Sequence, residues 1–211
     1  MIVGFIPFFG WRPHNQHFLF LIEAVKKLGH QVEVLRCDGS LETCYNQEIK
    51  KGAFKKFACA TCKLSARYST EFADGVTNIC APPVSEVSTD LVTQSWVASS
   101  YRTLKRKEGA DLSESDIASQ LHKKLEVSAA QSYNSVSSWI KNKNIEFVFL
   151  FNGRMDVTSA AIEACKDNGI RFASVERSLL NWGIQVLPDT NCLDLKHVHS
   201  ASTHFSETPL D

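Results

Sequence analysis

Two apolar runs, each followed by a helical pattern and a second apolar run, most constrain the fold. Residues 2–9, IVGFIPFF, are almost continuously apolar, which is typical of a strand buried on both faces of a parallel sheet. The segment HFLFLIEAVKKLG has helical apolar spacing and ends at Gly29, and QVEVLRC then predicts another strand. Residues 2–37 therefore predict a β-α-β unit, whose crossover we expect to be right-handed.

The same order of elements returns near the other end of the chain. Residues 145–151, IEFVFLF, predict a buried strand, NGR predicts a turn, DVTSAAIEACKDNG predicts a helix and IRFASVE predicts another strand. This alternation predicts an α/β fold with a doubly wound, mostly parallel, Rossmann-like sheet. A further strand is predicted within 75–83, and helices are predicted over 88–107 and 113–141.

These elements predict one domain with two insertions. The Rossmann-like domain is expected to span residues 1–188, with a cysteine-containing insertion at 38–61 and a helical insertion at 85–142. After Pro188 the pattern fails, so residues 189–211 are predicted to form a tail or linker.

Composition narrows the function classes. Lys plus Arg and Asp plus Glu are equal at 23 each, which gives no electrostatic reason to expect a nucleic-acid partner. The longest apolar runs are too short to span a bilayer, and the first residues lack the basic region and cleavage site of a signal peptide. We therefore predict a cytoplasmic location, where the seven cysteines would be thiols or metal ligands rather than disulfides.

Polar residues follow the predicted parallel strands, and ligands of such sheets bind beyond the carboxyl ends of the strands. The candidates for substrate or catalytic contacts are Arg12, His14, Asn15, Asp38, Asn152, Gly153, Arg154, Glu176 and Arg177. The alternative is that loops are polar in any protein and that Asn-Gly is an ordinary turn signal.

Two histidines near the start of the first helix are candidate general bases, because histidine titrates near neutral pH. They are His14 and His17, and the alternative for His17 is a solvent-exposed helix residue. The sequence contains neither G-x-G-x-x-G in the first loop nor G-x-x-x-x-G-K-[ST] anywhere, so no nucleotide motif supports a dehydrogenase or kinase.

Several short motifs resemble a known family. The start of the chain with EAVKKLGHQVEVL resembles the N-terminal domain of GT-B glycosyltransferases, and CDG, C-x-x-C, FNGR and ER, in that order, resemble bacterial capsule and surface-polysaccharide biosynthesis proteins. The resemblance covers roughly residues 1–190. It implies a nucleotide-sugar, a glycan acceptor and a second Rossmann-like domain as partners. The chain ends at Asp211, before such a domain, so we expect an acceptor-side N-terminal domain that needs its other half for activity.

The resemblance also implies roles for the candidate residues and is compatible with peripheral assembly at a membrane. A base near the acceptor hydroxyl is expected from His14, Asp38 or Glu176. Arg12, Arg154 and Arg177 are expected to hold anionic groups through forked hydrogen bonds. Asn15, Asn152 and Gly153 complete the expected substrate-binding set.

Four cysteines lie in one window, at Cys37, Cys44, Cys59 and Cys62. Four thiolates suit tetrahedral zinc or an iron–sulfur cluster, although a zinc ribbon usually has two close pairs and this window has one. Unliganded thiols and a redox pair or disulfide are the alternatives. We predict that the four converge and fasten the 38–61 segment, with C-x-x-C at the start of a helix over 62–73.

The cysteine window supports a second hypothesis, a metal- or thiol-dependent binding or regulatory module without catalysis. A third hypothesis is a flavodoxin-like domain with no catalytic role. Cys80, Cys165 and Cys192 are expected to be small core residues.

Overall fold

The computed structural model describes residues 1–10, 13–50, 54–79, 81–107, 109, 111–178, 183–194, 196, 197, 199, 200 and 203. The strands are β1 Ile2–Ile6, β2 Gln31–Arg36, β3 Gly75–Asn78, β4 Phe147–Phe151, β5 Arg171–Arg177 and β6 Ile184–Pro188. The helices are α1 His14–Lys27, α2 Tyr45–Glu48, α3 Phe54–Ser69, α4 Gln94–Lys105, α5 Glu114–Ile117, α6 Gln120–Lys143 and α7 Asp156–Asp167, with a 3-10 turn at Val84–Glu86.

The six strands form one sheet in the order β3-β2-β1-β4-β5-β6. Strands β1 to β5 are parallel, and β6 pairs antiparallel with β5. The chain moves outward from β1 in one direction and from β4 in the other, so right-handed crossovers place α1 and α3 on one face and α6 and α7 on the other. The predicted doubly wound α/β fold is confirmed, with its switch point between β1 and β4.

Strand β1 is apolar throughout because both of its faces are covered. Phe5 is fully buried and packs edge-on against Phe18 of α1, with ring centroids 6.2 Å apart, and it stacks on Phe149 of β4 at 5.0 Å. Its neighbour Gly4 points to the opposite face, where a Cβ atom would collide with the Trp139 ring of α6. Glycine at this position therefore lets α6 approach the sheet closely.

Helix caps explain why the predicted helix over 113–141 is divided. Ser113 accepts a hydrogen bond from the Asp116 backbone amide in a capping box and starts α5. Ser119 accepts from the backbone amide of His122 and starts α6, which continues to Lys143. Two serine caps close together begin two helices in succession. The helix predicted from Ser88 likewise begins later, at Gln94.

The prediction that C-x-x-C opens a helix over 62–73 is wrong. Helix α3 begins at Phe54, so Cys59 and Cys62 lie within it. The predicted insertion at 38–61 contains α2 and the first turns of α3. The apolar pattern was misleading because the large apolar residues of α3 face solvent. Its buried side consists of small residues, Ala58, Ala66 and Ser69.

The chain stays attached to the sheet just beyond β6. The amide of Asp189 donates to the carbonyl of Phe172, and the amide of Cys192 donates to the carbonyl of Asn152. Cys192 is buried, as is Cys165, whereas Cys80 lies outside the described residues. Residues 189–194, which the sequence placed in the tail, thus run from the amino end of β5 to the carboxyl end of β4. Over the described residues, no helix has the length and apolar character needed to cross a membrane.

Candidate functional site

The segments after β1 and β4 meet the end of β5 beside the switch point. His14 is the first residue of α1, and its Nδ1 atom lies 3.3 Å from Oε1 of Glu176 in β5. Asn152, directly after β4, donates from Nδ2 to Oε2 of Glu176 at 2.6 Å. The Arg177 backbone amide donates to Oε1 at 2.9 Å. The Glu176 carboxylate is thereby held between three segments, with one oxygen beside an imidazole.

The Asn-Gly turn aims the Asn152 side chain at Glu176. Asn152 and Gly153 both have positive φ, at 57° and 82°, and Asn152 Oδ1 accepts from the Arg154 amide at 2.9 Å. A Cβ atom at Gly153 would lie 2.5 Å from Cδ1 of Ile162 and 3.2 Å from Cα of Asn191, so a larger residue would have to displace these neighbours in addition to adopting a positive φ. This turn therefore has a positioning role that an ordinary Asn-Gly turn would not have.

Both imidazoles near this site favour the neutral form. Burial is the main cause that lowers the pKa of His14 below its ordinary value of 6.5, while Glu176 acts in the opposite direction. Burial likewise lowers the pKa of His17, which is buried and not a solvent-exposed helix residue as the alternative interpretation held. A neutral imidazole beside a carboxylate can accept a proton, and the carboxylate then stabilises the imidazolium.

Arg154 adds a cation directly after the Asn152–Gly153 turn. Its side chain is partly buried, and its Nε atom has no hydrogen-bond partner among the described residues. Buried guanidinium groups normally have partners, so Arg154 is suited to bind an anionic group. Arg177 is exposed at the end of β5, and Arg12 lies outside the described residues.

Two other candidates lie elsewhere. Asn15 is buried and donates from Nδ2 to the Ser65 hydroxyl of α3 at 2.6 Å, which ties α1 to α3. Asp38 is exposed at the end of β2, where it lines a cleft of about 380 Å³ together with Lys63 and Arg67. The structure thus groups His14, Asn152 and Glu176 around one point, with Arg177 close enough to lower the pKa of both His14 and His17. It places Asp38 in a separate cleft.

Sequence reasoning missed the buried carboxyl group at the start of α7. Asp156 is fully buried; its Oδ1 atom accepts from the Ser100 hydroxyl at 2.8 Å, and its Oδ2 atom has no partner among the described residues. Burial raises its pKa to about 6. In the sequence this residue reads as an ordinary first-turn acid, and nothing marks the contact with α4.

The cysteines of the window lie close enough to act on one another's pKa. Cys62 Sγ accepts from the Gly10 amide at 3.0 Å, and Cys37 Sγ accepts from the Gly39 amide at 3.3 Å. Burial raises the pKa of Cys37 to about 12, and the nearby thiols of Cys62 and Cys59 act in the same direction. Burial also raises the pKa of Cys44.

Cysteine thiolates are ligands that zinc commonly takes, but these side chains are not arranged as a metal site. Throughout the described part of the chain, no three His, Cys, Asp or Glu side chains are grouped so that they could hold a metal ion. Every described cysteine is a free thiol. The metal site at Cys37, Cys44, Cys59 and Cys62 stays a prediction.

Comparisons with known proteins find similarity among solved structures only. No protein-family model matches the chain, and no curated protein matches it. A solved structure from Listeria monocytogenes, named as a UDP-N-acetylglucosamine 2-epimerase, is similar with a TM-score of 0.40 and 13% sequence identity. The similarity covers 87% of this chain and 32% of that structure, so this chain spans about a third of its length.

Proposed function

We propose that this chain is the acceptor-side half of a GT-B glycosyltransferase that moves a sugar from a nucleotide-sugar to a glycan acceptor in surface-polysaccharide assembly in the cytoplasm. The observation that carries the proposal is the contact between His14 Nδ1 and Glu176 Oε1, at 3.3 Å, beside the switch point of a doubly wound sheet. Open α/β sheets bind their ligands at this place. A second Rossmann-like domain supplies the nucleotide-sugar.

The chemistry assigned to the pair is general-base catalysis. His14 accepts the proton of the acceptor hydroxyl as its oxygen bonds to the anomeric carbon of the sugar. The bond from that carbon to the nucleoside diphosphate breaks, and the diphosphate leaves with the electron pair. Glu176 stabilises the imidazolium that forms, and Asn152 keeps Glu176 in place. The test is to express the full-length protein encoded by the gene and to measure whether it releases nucleoside diphosphate only when an acceptor is present.

Arg154 is assigned to an anionic group of the ligand. Arg154→Ala is expected to weaken the binding of pyrophosphate or uridine diphosphate by roughly 10- to 150-fold, the effect of losing a charge-assisted hydrogen bond. Stability should change little because the Nε atom has no partner to lose among the described residues. Calorimetric titration of the parent and the variant measures both affinities.

The matched control for that titration is Arg171→Ala. Arg171 lies at the amino end of β5, at the opposite edge of the sheet, where it bonds Asp189. The Arg171→Ala variant should bind pyrophosphate or uridine diphosphate with the affinity of the parent. Unchanged affinity in Arg154→Ala, or an equal loss in both variants, would remove Arg154 from the site.

The neighbouring thiols favour a second candidate function, a metal- or thiol-dependent module. If Cys37, Cys44, Cys59 and Cys62 hold structural zinc, the purified protein contains one zinc ion per chain, and chelation makes the 38–61 segment sensitive to protease. The paired change Cys59→Ser and Cys62→Ser should have the same effect, because metal binding and local folding are coupled. Cys165→Ala, remote in α7, should keep the metal. Metal-free protein with a protease-resistant segment would contradict this candidate.

A further inference from the structure

Helix α3 turns a row of large apolar side chains to solvent. Phe54 is 72% exposed, Phe57 67%, Leu64 58% and Tyr68 69%. Their spacing of three, seven and four residues places them on one side of the helix. The opposite side attaches α3 to the domain through small residues, so the outward row has no packing role within the described chain. We call this row the α3 aromatic face.

A row of cations runs beside the α3 aromatic face. Lys56, Lys63 and Arg67 follow one another along the helix with spacings of seven and four residues, and all three are exposed. They form no ion pair with any described residue. Every charged residue between Ile49 and Thr70 is basic, although the whole chain has a net charge of zero. Positive charge is therefore concentrated in this segment, and Lys56, Lys63 and Arg67 carry it to the surface of α3.

The α3 aromatic face continues toward the candidate site. Ile49 and Lys50, at the end of α2, are exposed beside Phe54 and Phe57. Between α2 and α3 these side chains line a groove of about 640 Å³, which reaches Gly10 in the segment after β1. The surface and the candidate site thus share the carboxyl edge of the sheet.

We propose that α3 docks this domain on an anionic lipid surface, with the aromatic face at the headgroup boundary and the cation row against lipid phosphates. Interfacial helices combine an apolar face with flanking Lys and Arg in this way. A protein partner fits less well because lysine is depleted in protein interfaces. A symmetric second copy would bring two rows of like charge together. The proposal rests on the α3 surface and not on the proposed glycosyl transfer.

Vesicle sedimentation tests the proposal with the full chain. The protein should sediment with vesicles of phosphatidylcholine mixed with phosphatidylglycerol but not with phosphatidylcholine alone, and added salt should weaken the association. The paired change Phe54→Ser and Phe57→Ser should lower partitioning tenfold or more, since it removes apolar area that would enter the lipid. The paired change Lys56→Glu and Lys63→Glu should lower it about tenfold or more.

Two matched controls lie on other helices. Phe20→Ser in α1 removes a phenylalanine that is 63% exposed, and Lys123→Glu in α6 reverses an exposed lysine. Both should sediment like the parent, and unchanged thermal melts should show that all variants are folded. Equal binding to both vesicle types, no binding to either, or losses that the controls share would overturn the proposal. So would a dimer that Phe54→Ser with Phe57→Ser dissociates, because a second copy would then cover the face.

Discussion

Replacing His14 by alanine is expected to lower the rate of sugar transfer by roughly 10²- to 10⁴-fold, the usual contribution of a positioned general base. The reason is the placement of His14, whose ring lies against Phe151 with centroids 4.5 Å apart and whose Nδ1 atom faces Glu176. The measurement is the initial rate of nucleoside diphosphate release with acceptor present. His30→Ala, before β2 at the amino edge of the sheet, is the matched control and should keep the parent rate.

The pH profile gives the same prediction a second measurement. Because burial lowers the pKa of His14 below 6.5, the imidazole stays neutral into mildly acidic solution. The transfer rate should therefore hold its plateau below pH 6.5 and fall only when His14 becomes protonated. A profile that already falls above pH 7, or a parent-like rate in His14→Ala, would exclude His14 as the base.

Replacing Asp156 by asparagine is expected to raise the free energy of unfolding by about 3 kcal/mol above pH 6. Burial raises the pKa of Asp156 from 3.8 to about 6, and each pKa unit corresponds to about 1.4 kcal/mol. Below pH 3.8 the carboxyl group is protonated in the folded and unfolded states, so it carries no charge penalty. Between pH 3.8 and about 6 the unfolded chain ionises while the buried group stays protonated, so the parent loses that stability over this range and has lost all of it above pH 6.

Asparagine removes the charge and keeps an oxygen that can accept the Ser100 hydrogen bond. Urea unfolding at several pH values between 4 and 7.5 should show the parent losing stability with rising pH and Asp156→Asn staying nearly level. Asp111→Asn, at an exposed aspartate, should follow the parent. If Asp156→Asn is less stable than the parent at pH 7, the charge of the buried Asp156 carboxylate does not destabilise the parent, and the prediction is wrong.

The sheet could be predicted from the sequence because its strands are buried on both faces. Runs such as FVFLF have no polar interruption, and right-handed crossovers leave few ways to connect them. Helix α3 could not be placed, because its apolar residues face outward and its buried side consists of small residues. Periodicity locates a helix only when the apolar side is the packed side.

The candidate site could be predicted as an edge of the sheet but not as a set of contacts. His14 and Glu176 were both expected at carboxyl ends of strands, yet their pairing depends on the positive φ angles of Asn152 and Gly153. Asn15 carries the same kind of polar side chain but bonds to Ser65 instead. The hydrogen-bond partner of each polar side chain depends on tertiary packing, which cannot be seen in a local sequence pattern.

Acceptor-dependent release of nucleoside diphosphate is the most direct test of the central claim, that the His14–Glu176 pair promotes sugar transfer. The uninterrupted open reading frame would be expressed, and its product assayed with a panel of nucleotide-sugars and surface glycans, beside His14→Ala and His30→Ala. The account predicts release that requires acceptor, is lost in His14→Ala and is retained in His30→Ala. Release that is the same in all three proteins, or that does not depend on acceptor, would contradict it.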